Sequence, residues 1–353
     1  MSNDNSQQIQ SQILDAYKNK SALKICGGNS KHFYGQKLNA TPLDVTTHNG
    51  IVNYEPTELV VTVRAGTRLS ELETTLSENN QILPFEPPHF SETATIGGTI
   101  ACNLSGPSRA YNGAARDFVL GSNIINGKAE SLKFGGQVMK NVAGYDASRL
   151  MCGAMGTLGV ILDVSLKVLP KPETEITLSH KCDLNQAIFN MHQWVKQSLP
   201  ITATCYDGSR LFIRLSGNNS SVNSARKIIG GELIDNSRTF WLQLKEQSHD
   251  FFNTDNPVWR LSLSSTSPLL DLQGDTLYEW GGALRWLKTE SPAKDIRNKL
   301  EAAGGHATLF RNNKQKCDTF QPLSNGLLNI HKNIKNAFDP DHILNPGAMY
   351  KDI

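Results

Sequence analysis

No CxxC pair occurs among the six cysteines (Cys26, Cys102, Cys152, Cys182, Cys205 and Cys317), and the nine histidines form neither HExxH nor a tight cluster with Asp or Glu. These gaps argue against a zinc ribbon and a cysteine-ligated iron–sulfur cluster, and no metal is expected. Walker A and the dinucleotide fingerprint GxGxxG leading into a helix are missing as well. No apolar run approaches the roughly 18 residues needed to cross a bilayer. The opening MSNDNSQQIQSQ has no charged segment followed by an apolar one, so a cytoplasmic location is expected. A basic stripe is also missing: 35 Lys and Arg stand against 33 Asp and Glu, net +2, which makes nucleic acid an unexpected partner. No internal repeat is visible, and low complexity is confined to the polar N-terminal segment.

What is present suits a globular chain of two domains. Its 353 residues are 39% hydrophobic and 19% charged, enough to bury two cores. KVLPKPETE places two prolines and several charges after a long alternating strand, which sets the expected boundary at Pro170, with domains 1–170 and 171–353. In the first, LVVTV (59–63) reads as a strand buried on both faces. A helix opening at Thr67 follows, with Leu69, Leu72 and Leu76 on one side. Residues 160–168 alternate as a half-buried strand. In the second, strands at 176–180, 203–206 and 211–215 and helices at 184–199 and 220–229 read as a ferredoxin-type βαββαβ unit. Further strands begin at Trp259, Ala283 and Ala307, and one helix ends at Gly304 and Gly305 as a left-handed cap. The fold class is α+β.

Three glycine-rich stretches stand out in the first domain. KICGGNSKHFYG runs a strand into Gly27, Gly28, Asn29 and Ser30, a turn that exposes successive backbone amides; it makes either an anion nest or a plain tight turn. TIGGTIACNLSGPSRAYNGAARDFVLG supplies Gly97, Gly98, Asn103, Ser105 and Gly106, small and polar groups suited to a flat polar ligand. KNVAGYDASRLMCGAMGTLGV places Gly144 and Gly159 where backbone can approach a ligand ahead of the strand at Val160. Asp146 and Arg149 have the spacing of a local ion pair.

The ordered blocks GGNS, TIGGTIACN, RDFVLG, KNVAGYD and GTLGVI resemble the PCMH-type FAD-binding domain of the vanillyl-alcohol oxidase flavoproteins over about the first 170 residues. WGGALRWLK, GGHAT and NPGAMY extend the resemblance, to the FAD-binding subunits of bacterial glycolate oxidases, over most of the chain. The resemblance implies a PCMH-type domain of two α/β subdomains followed by an FAD-linked oxidase C-terminal domain. It implies that Gly27, Gly28, Asn29 and Ser30 hold the FAD pyrophosphate. Gly97, Gly98, Asn103, Ser105 and Gly106 would follow the ribityl and isoalloxazine, and Gly144, Tyr145, Gly159, Val160 and Ile161 would meet the ring and adenine. Lys140 reads equally as a cation near the flavin and as a solvated lysine. The pyrophosphate loop offers Asn29 and Ser30 where relatives with covalent flavin use His or Cys, so FAD is expected to be non-covalent.

Relatives that oxidise 2-hydroxy acids carry HGDGN-like and EHG-like segments that are missing here. Arg285, His306 and Arg311 remain as candidates for the substrate carboxylate and hydroxyl proton. The resemblance therefore implies a subunit oxidising glycolate and D-lactate within a complex. A second FAD-linked subunit would hold the 2-hydroxy-acid site, an iron–sulfur subunit would carry electrons onward, and the membrane's inner face would be reached through those partners. An FAD-independent assembly scaffold, with FAD absent or inert, and a free-standing flavin oxidase of 2-hydroxy acids are the competing readings.

Overall fold

The computed structural model describes residues 3–136, 146–314 and 317–353. Two compact units result: Met1–Leu104 with Ala114–Lys171 and Pro322–Ile353, and Ser105–Gly113 with Pro172–Gln321. The chain thus leaves the first unit near the expected boundary but returns to it, so residues 322–353, expected in the second domain, pack in the first.

The first unit is built on a five-stranded sheet in the order Ile51–Glu55, Val60–Arg64, Val160–Lys167, Val119–Ile125, Ser131–Gly135, every neighbouring pair antiparallel. Val61 and Val63 are fully buried, as the apolar run requires. The helix Leu69–Glu78 sinks Leu69, Leu72 and Leu76 into the same core. Val160–Lys167 departs from its half-buried expectation. It is the central strand, and its polar Ser165 is buried because Thr62 Oγ1 lies 2.9 Å from its hydroxyl on the neighbouring strand. Beside this sheet, Leu23–Cys26 and Thr41–Asp44 pair in parallel. They share a second core with Ile9, Ile13 and Ala16, which fall at helical spacing on Ser6–Asn19.

The second unit carries one eight-stranded sheet. Its first half is the expected ferredoxin-like unit, with Glu232–Leu233, Thr174–Lys181, Arg210–Gly217 and Ile201–Tyr206 adjacent in that order. The second half repeats the pattern in mirror order: Asp275–Glu279, Leu284–Lys288, Val258–Ser262, His306–Arg311. The halves join where Cys205 and Tyr206 pair with Glu279 and Tyr278. This topological repeat is invisible in the sequence because the second half lacks the helix between its first two strands and shares no motif with the first. The helix Ala293–Ala302 ends as expected, with Gly304 at φ 72° and the Gly305 amide donating to the Leu300 carbonyl at 2.8 Å.

Candidate functional site

Leu23–Cys26 runs directly into Gly27 and the turn Gly28-Asn29-Ser30, where Asn29 adopts φ 54°. The amides of Gly28, Asn29 and Ser30 have no acceptor among the described residues. A Cβ on Gly28 would lie 1.5 Å from the Thr93 carbonyl oxygen, and Thr93 Oγ1 donates to the Gly28 carbonyl. Only glycine fits there, because the neighbouring loop's backbone already occupies the space. Two residues beyond Thr93, Thr95 Oγ1 accepts from the Gly98 amide at 3.3 Å and caps the helix Ile96–Cys102, which brings Gly97 and Gly98 to the same place.

These loops enclose a cavity of about 410 Å³ in the first unit. Gly27, Gly28, Asn29, Ser30, Gly97, Gly98, Gly159 and Ile161 line it. Four basic side chains, Lys24, Lys31, His32 and Lys37, line it too, and none of the lining residues is acidic. Lys31 is 8% exposed and sits beside the nest, its Nζ 3.3 Å from Ser30 Oγ and 3.5 Å from the His89 carbonyl. Ile25, Leu38 and Val45 add apolar wall. Unmet amides, a buried lysine with further basic groups nearer solvent, and apolar patches in one cavity suit a ligand with a negatively charged diphosphate and a flat ring. The residues present therefore fit the pyrophosphate and nucleotide part of FAD.

Not every expected contact meets this cavity. Val160 is buried in its strand and is not a lining residue. Asn103 caps the helix Ile96–Cys102 with φ 50°, and its Oδ1 accepts from the Arg116 amide at 3.3 Å. Ser105 and Gly106 belong to the second unit, where the Gly106 carbonyl accepts from Trp280 Nε1 at 3.0 Å. Lys140, Gly144 and Tyr145 lie outside the described residues. Asp146 and Arg149 form the anticipated local pair at 3.0 Å.

The three catalytic candidates do not converge. Arg285 is 2% exposed, and its guanidinium donates to the carbonyls of Gly282, Pro268 and Ser267 at 3.2, 2.9 and 2.9 Å. It is a loop fastener, with three of its five N–H donors committed to backbone. Arg285 pairs with Leu261, and Leu261 with Ala307, so Arg285 shares a sheet face with Ala307 while His306, the next residue, points to the other. Partial loss of solvent and the nearby Arg260 hold His306 below the usual imidazole pKa. Arg311 stands at the far end of His306–Arg311, with Nε donating to Gln247 Oε1 at 2.8 Å. Among the described residues no group of His, Cys, Asp and Glu is arranged to hold a metal ion, and no helix is long and apolar enough to cross a membrane.

Sequence reasoning missed Lys24, Lys31, Lys37, Thr95 and Asn345. Lys24 and Lys31 flank the glycine turn, and that charge was a readable signal. Asn345 stands in the quoted block NPGAMY, but nothing local tied it to the cavity, since its partner Ile25 lies 320 residues away.

Residues 3–135 match the model of an FAD binding domain. The glycolate oxidase subunit GlcE of Escherichia coli (strain K12) is 46% identical over 350 residues, 99% of each chain. The glycolate oxidase subunit GlcD of Bacillus subtilis (strain 168) is 33% identical over 130 residues, 37% of this chain and 27% of that one. A D-lactate dehydrogenase of Anaerostipes hadrus is 31% identical over 163 residues, 44% and 34% of the two chains. Among solved structures, p-cresol methylhydroxylase with substrate bound superposes at a TM-score of 0.71 with 14% identity, covering 100% of this chain and 88% of that one. An alkyldihydroxyacetonephosphate synthase gives 0.68 with 15% identity over 98% and 75%. At that identity these two structures speak for the PCMH-type fold alone.

Proposed function

The chain belongs to the family of the glycolate oxidase subunit GlcE, and on that premise we propose that it is the FAD-binding subunit of a complex oxidising glycolate and D-lactate to their 2-oxo acids. The observation that carries this reading is the cavity in which the unmet amides of Gly28, Asn29 and Ser30 stand among basic side chains without an acidic one. In this role the nest amides and Lys31 hold the FAD diphosphate by charge-assisted hydrogen bonds. Gly97, Gly98, Gly159 and Ile161 accept the flat parts of the cofactor, and Asn103, Ser105, Gly106, Lys140, Gly144, Tyr145 and Val160 stay as proposed contacts on the resemblance alone. Bound FAD would supply a two-electron redox centre for the electrons that leave the substrate.

Attachment is non-covalent. Of the two lining residues of the types, His and Cys, that relatives with covalent flavin use, His32 has Nδ1 engaged with the Asn29 carbonyl at 2.9 Å. Burial pushes the Cys102 thiol up to about 11, far from the thiolate that attack would need.

Substrate oxidation also requires a cation for the carboxylate and a base for the hydroxyl proton, held together within about 3 to 3.5 Å of reactive alignment. Arg285 commits three of its five donors to backbone carbonyls, and His306 lies on the opposite sheet face. That separation favours a complex in which a second FAD-linked subunit holds the 2-hydroxy-acid site. An iron–sulfur subunit then takes the electrons, and contact with the membrane's inner face is made through these partners. Anaerobic stopped-flow tests the reading. The isolated chain is expected to purify yellow yet bleach slowly or not at all with glycolate, and to bleach quickly once assembled with its partners. A colourless chain that takes up no FAD overturns the cofactor role. Bleaching by the isolated chain at the full complex's rate overturns the dependence on partners.

A further inference from the structure

Two of the cavity's lining residues, Asn345 and Ala348, come from the last stretch of the chain. Asn345 is 8% exposed. Its Oδ1 accepts from the Ile25 amide at 2.8 Å, and its Nδ2 donates to the Met155 carbonyl at 2.7 Å. A carboxamide offers acceptor and donor in one plane, as a peptide group does, so this side chain acts as a strut between two strands of backbone. Ile25 stands two residues before Gly27, where the nest begins. Met155 stands directly before Gly156, which leads to Gly159 and Ile161 in the same cavity. Gly156 adopts φ 72°, and a Cβ there would meet Asn345 Nδ2 at 2.8 Å. The strut thus touches both walls and leaves no slack at either.

Its base is fixed from below. The Asn345 amide donates to the Leu23 carbonyl at 2.9 Å, and the Leu23 amide to the Ile343 carbonyl at 2.7 Å. Lys335, on the helix Asn325–Phe338, is fully buried together with Asp339. Its Nζ donates to Asp339 Oδ2 at 2.7 Å, to the Thr157 carbonyl at 2.7 Å and to the Leu344 carbonyl at 2.8 Å, which uses all three ammonium donors. Asp339 accepts in return from the amides of Ile343 and Leu344 at 3.0 and 2.8 Å. Burial lowers the lysine's pKa and its carboxylate partner opposes the shift. A buried ion pair adds little net stability over an apolar pair of the same size. Here it holds Ile343, Leu344 and Thr157 in one arrangement, directly before Asn345.

We infer that residues 339–348 form a clasp toward the cofactor, with Asn345 as its positioning residue and the Lys335–Asp339 pair as its anchor. Asn345 sets the distance between the nest and the 155–161 wall, and so the geometry in which the nest amides meet a diphosphate. This rests on the reading that the cavity takes FAD, and the experiment separates the two.

Full-length apoprotein is titrated with FAD by flavin fluorescence, and the melting temperature of each apoprotein is recorded beside it. Asn345→Ala removes both hydrogen bonds and is expected to weaken FAD binding about 10- to 30-fold. Asn345→Asp keeps the acceptor for Ile25 and sets a carboxylate against the Met155 carbonyl. Its affinity is expected to recover toward wild type as pH falls to about 5 and the carboxyl regains a donor, a trend the wild type lacks. Lys335→Met is the poorer probe, because a stranded buried Asp339 threatens folding itself. Lower melting temperatures with FAD affinity within about threefold of wild type at every pH reduce the clasp to ordinary structure and overturn the inference. Wild-type apoprotein that takes up no FAD overturns the cofactor reading and the clasp together.

Discussion

Gly28 and Arg285 were both singled out by chemistry, and packing assigns them different kinds of work. Gly28 is glycine because the Thr93 carbonyl occupies the space of its Cβ. Even Gly28→Ala must push the nest away from Thr93 and misalign its amides. Losing two charge-assisted hydrogen bonds is expected to weaken FAD binding on the order of 100-fold. Equilibrium dialysis against FAD measures it; a Gly28→Ala chain that purifies with wild-type FAD content removes this loop from the cofactor site. Arg285 instead fastens residues 267, 268 and 282. Arg285→Met leaves three carbonyls without their donor and is expected to cost about 2 to 4 kcal/mol of stability with FAD affinity unchanged. Urea unfolding paired with the same FAD titration checks both halves. A stable Arg285→Met chain that has lost only substrate turnover returns the residue to the catalytic list.

The contacts that hold residues 4 and 5 to the first unit are expected to respond to pH. Ahead of the helix Ser6–Asn19, the Asn5 amide donates to His48 Nδ1 at 3.1 Å, and Asp4 Oδ2 meets Arg64 at 2.9 Å. His48 is 2% exposed, and burial pulls its pKa down against the opposing pull of Asp4 and Asp163; Arg64 lowers it further. With the folded pKa below the unfolded value of about 6.5, the histidine is neutral in both states at higher pH and contributes no pH dependence. As pH falls below about 6.5 the unfolded chain takes the proton first, and stability drains until the folded pKa is passed. His48→Gln keeps an acceptor for Asn5 without titrating. Between about pH 7.5 and about pH 5.5 the wild-type melting temperature is expected to drop more than that of the variant, and differential scanning calorimetry at both values decides it. Equal drops remove His48 as the cause.

For the molecule as a whole, chain order and unit membership differ. The first unit's core holds Ile343 and Leu344 at 1% and 0% exposure, and Ile334 and Phe338 pack against it, although all four follow the second unit in sequence. All five tryptophans lie within 172–321. A chain ending at Gln321 should therefore lose the first unit's packing and FAD binding while keeping the tryptophan near-ultraviolet circular dichroism of the second. Loss of the tryptophan signal along with FAD would show that the second unit's fold depends on the C-terminal return. Full FAD retention would show that residues 322–353 are dispensable to the cavity.

Local pattern was enough for the elements whose cause is local. LVVTV gave a buried strand and Leu69, Leu72 and Leu76 a helix face, because an unbroken apolar run and a 3.6-residue period are written in neighbouring residues. The ferredoxin-like half was legible at 174–233 for the same reason, and so was the glycine turn at 27–30, whose backbone freedom is a property of the residues themselves. Partner choice was not legible. Whether Ser165 faces water or Thr62, whether Arg285 meets a substrate or the Ser267 carbonyl, and which backbone Asn345 props depend on side chains brought together from far along the chain. Composition and spacing select residues able to bind an anion or bridge two loops. Only close packing in three dimensions decides a donor's partners, and a buried cation fastened to backbone is held away from a substrate.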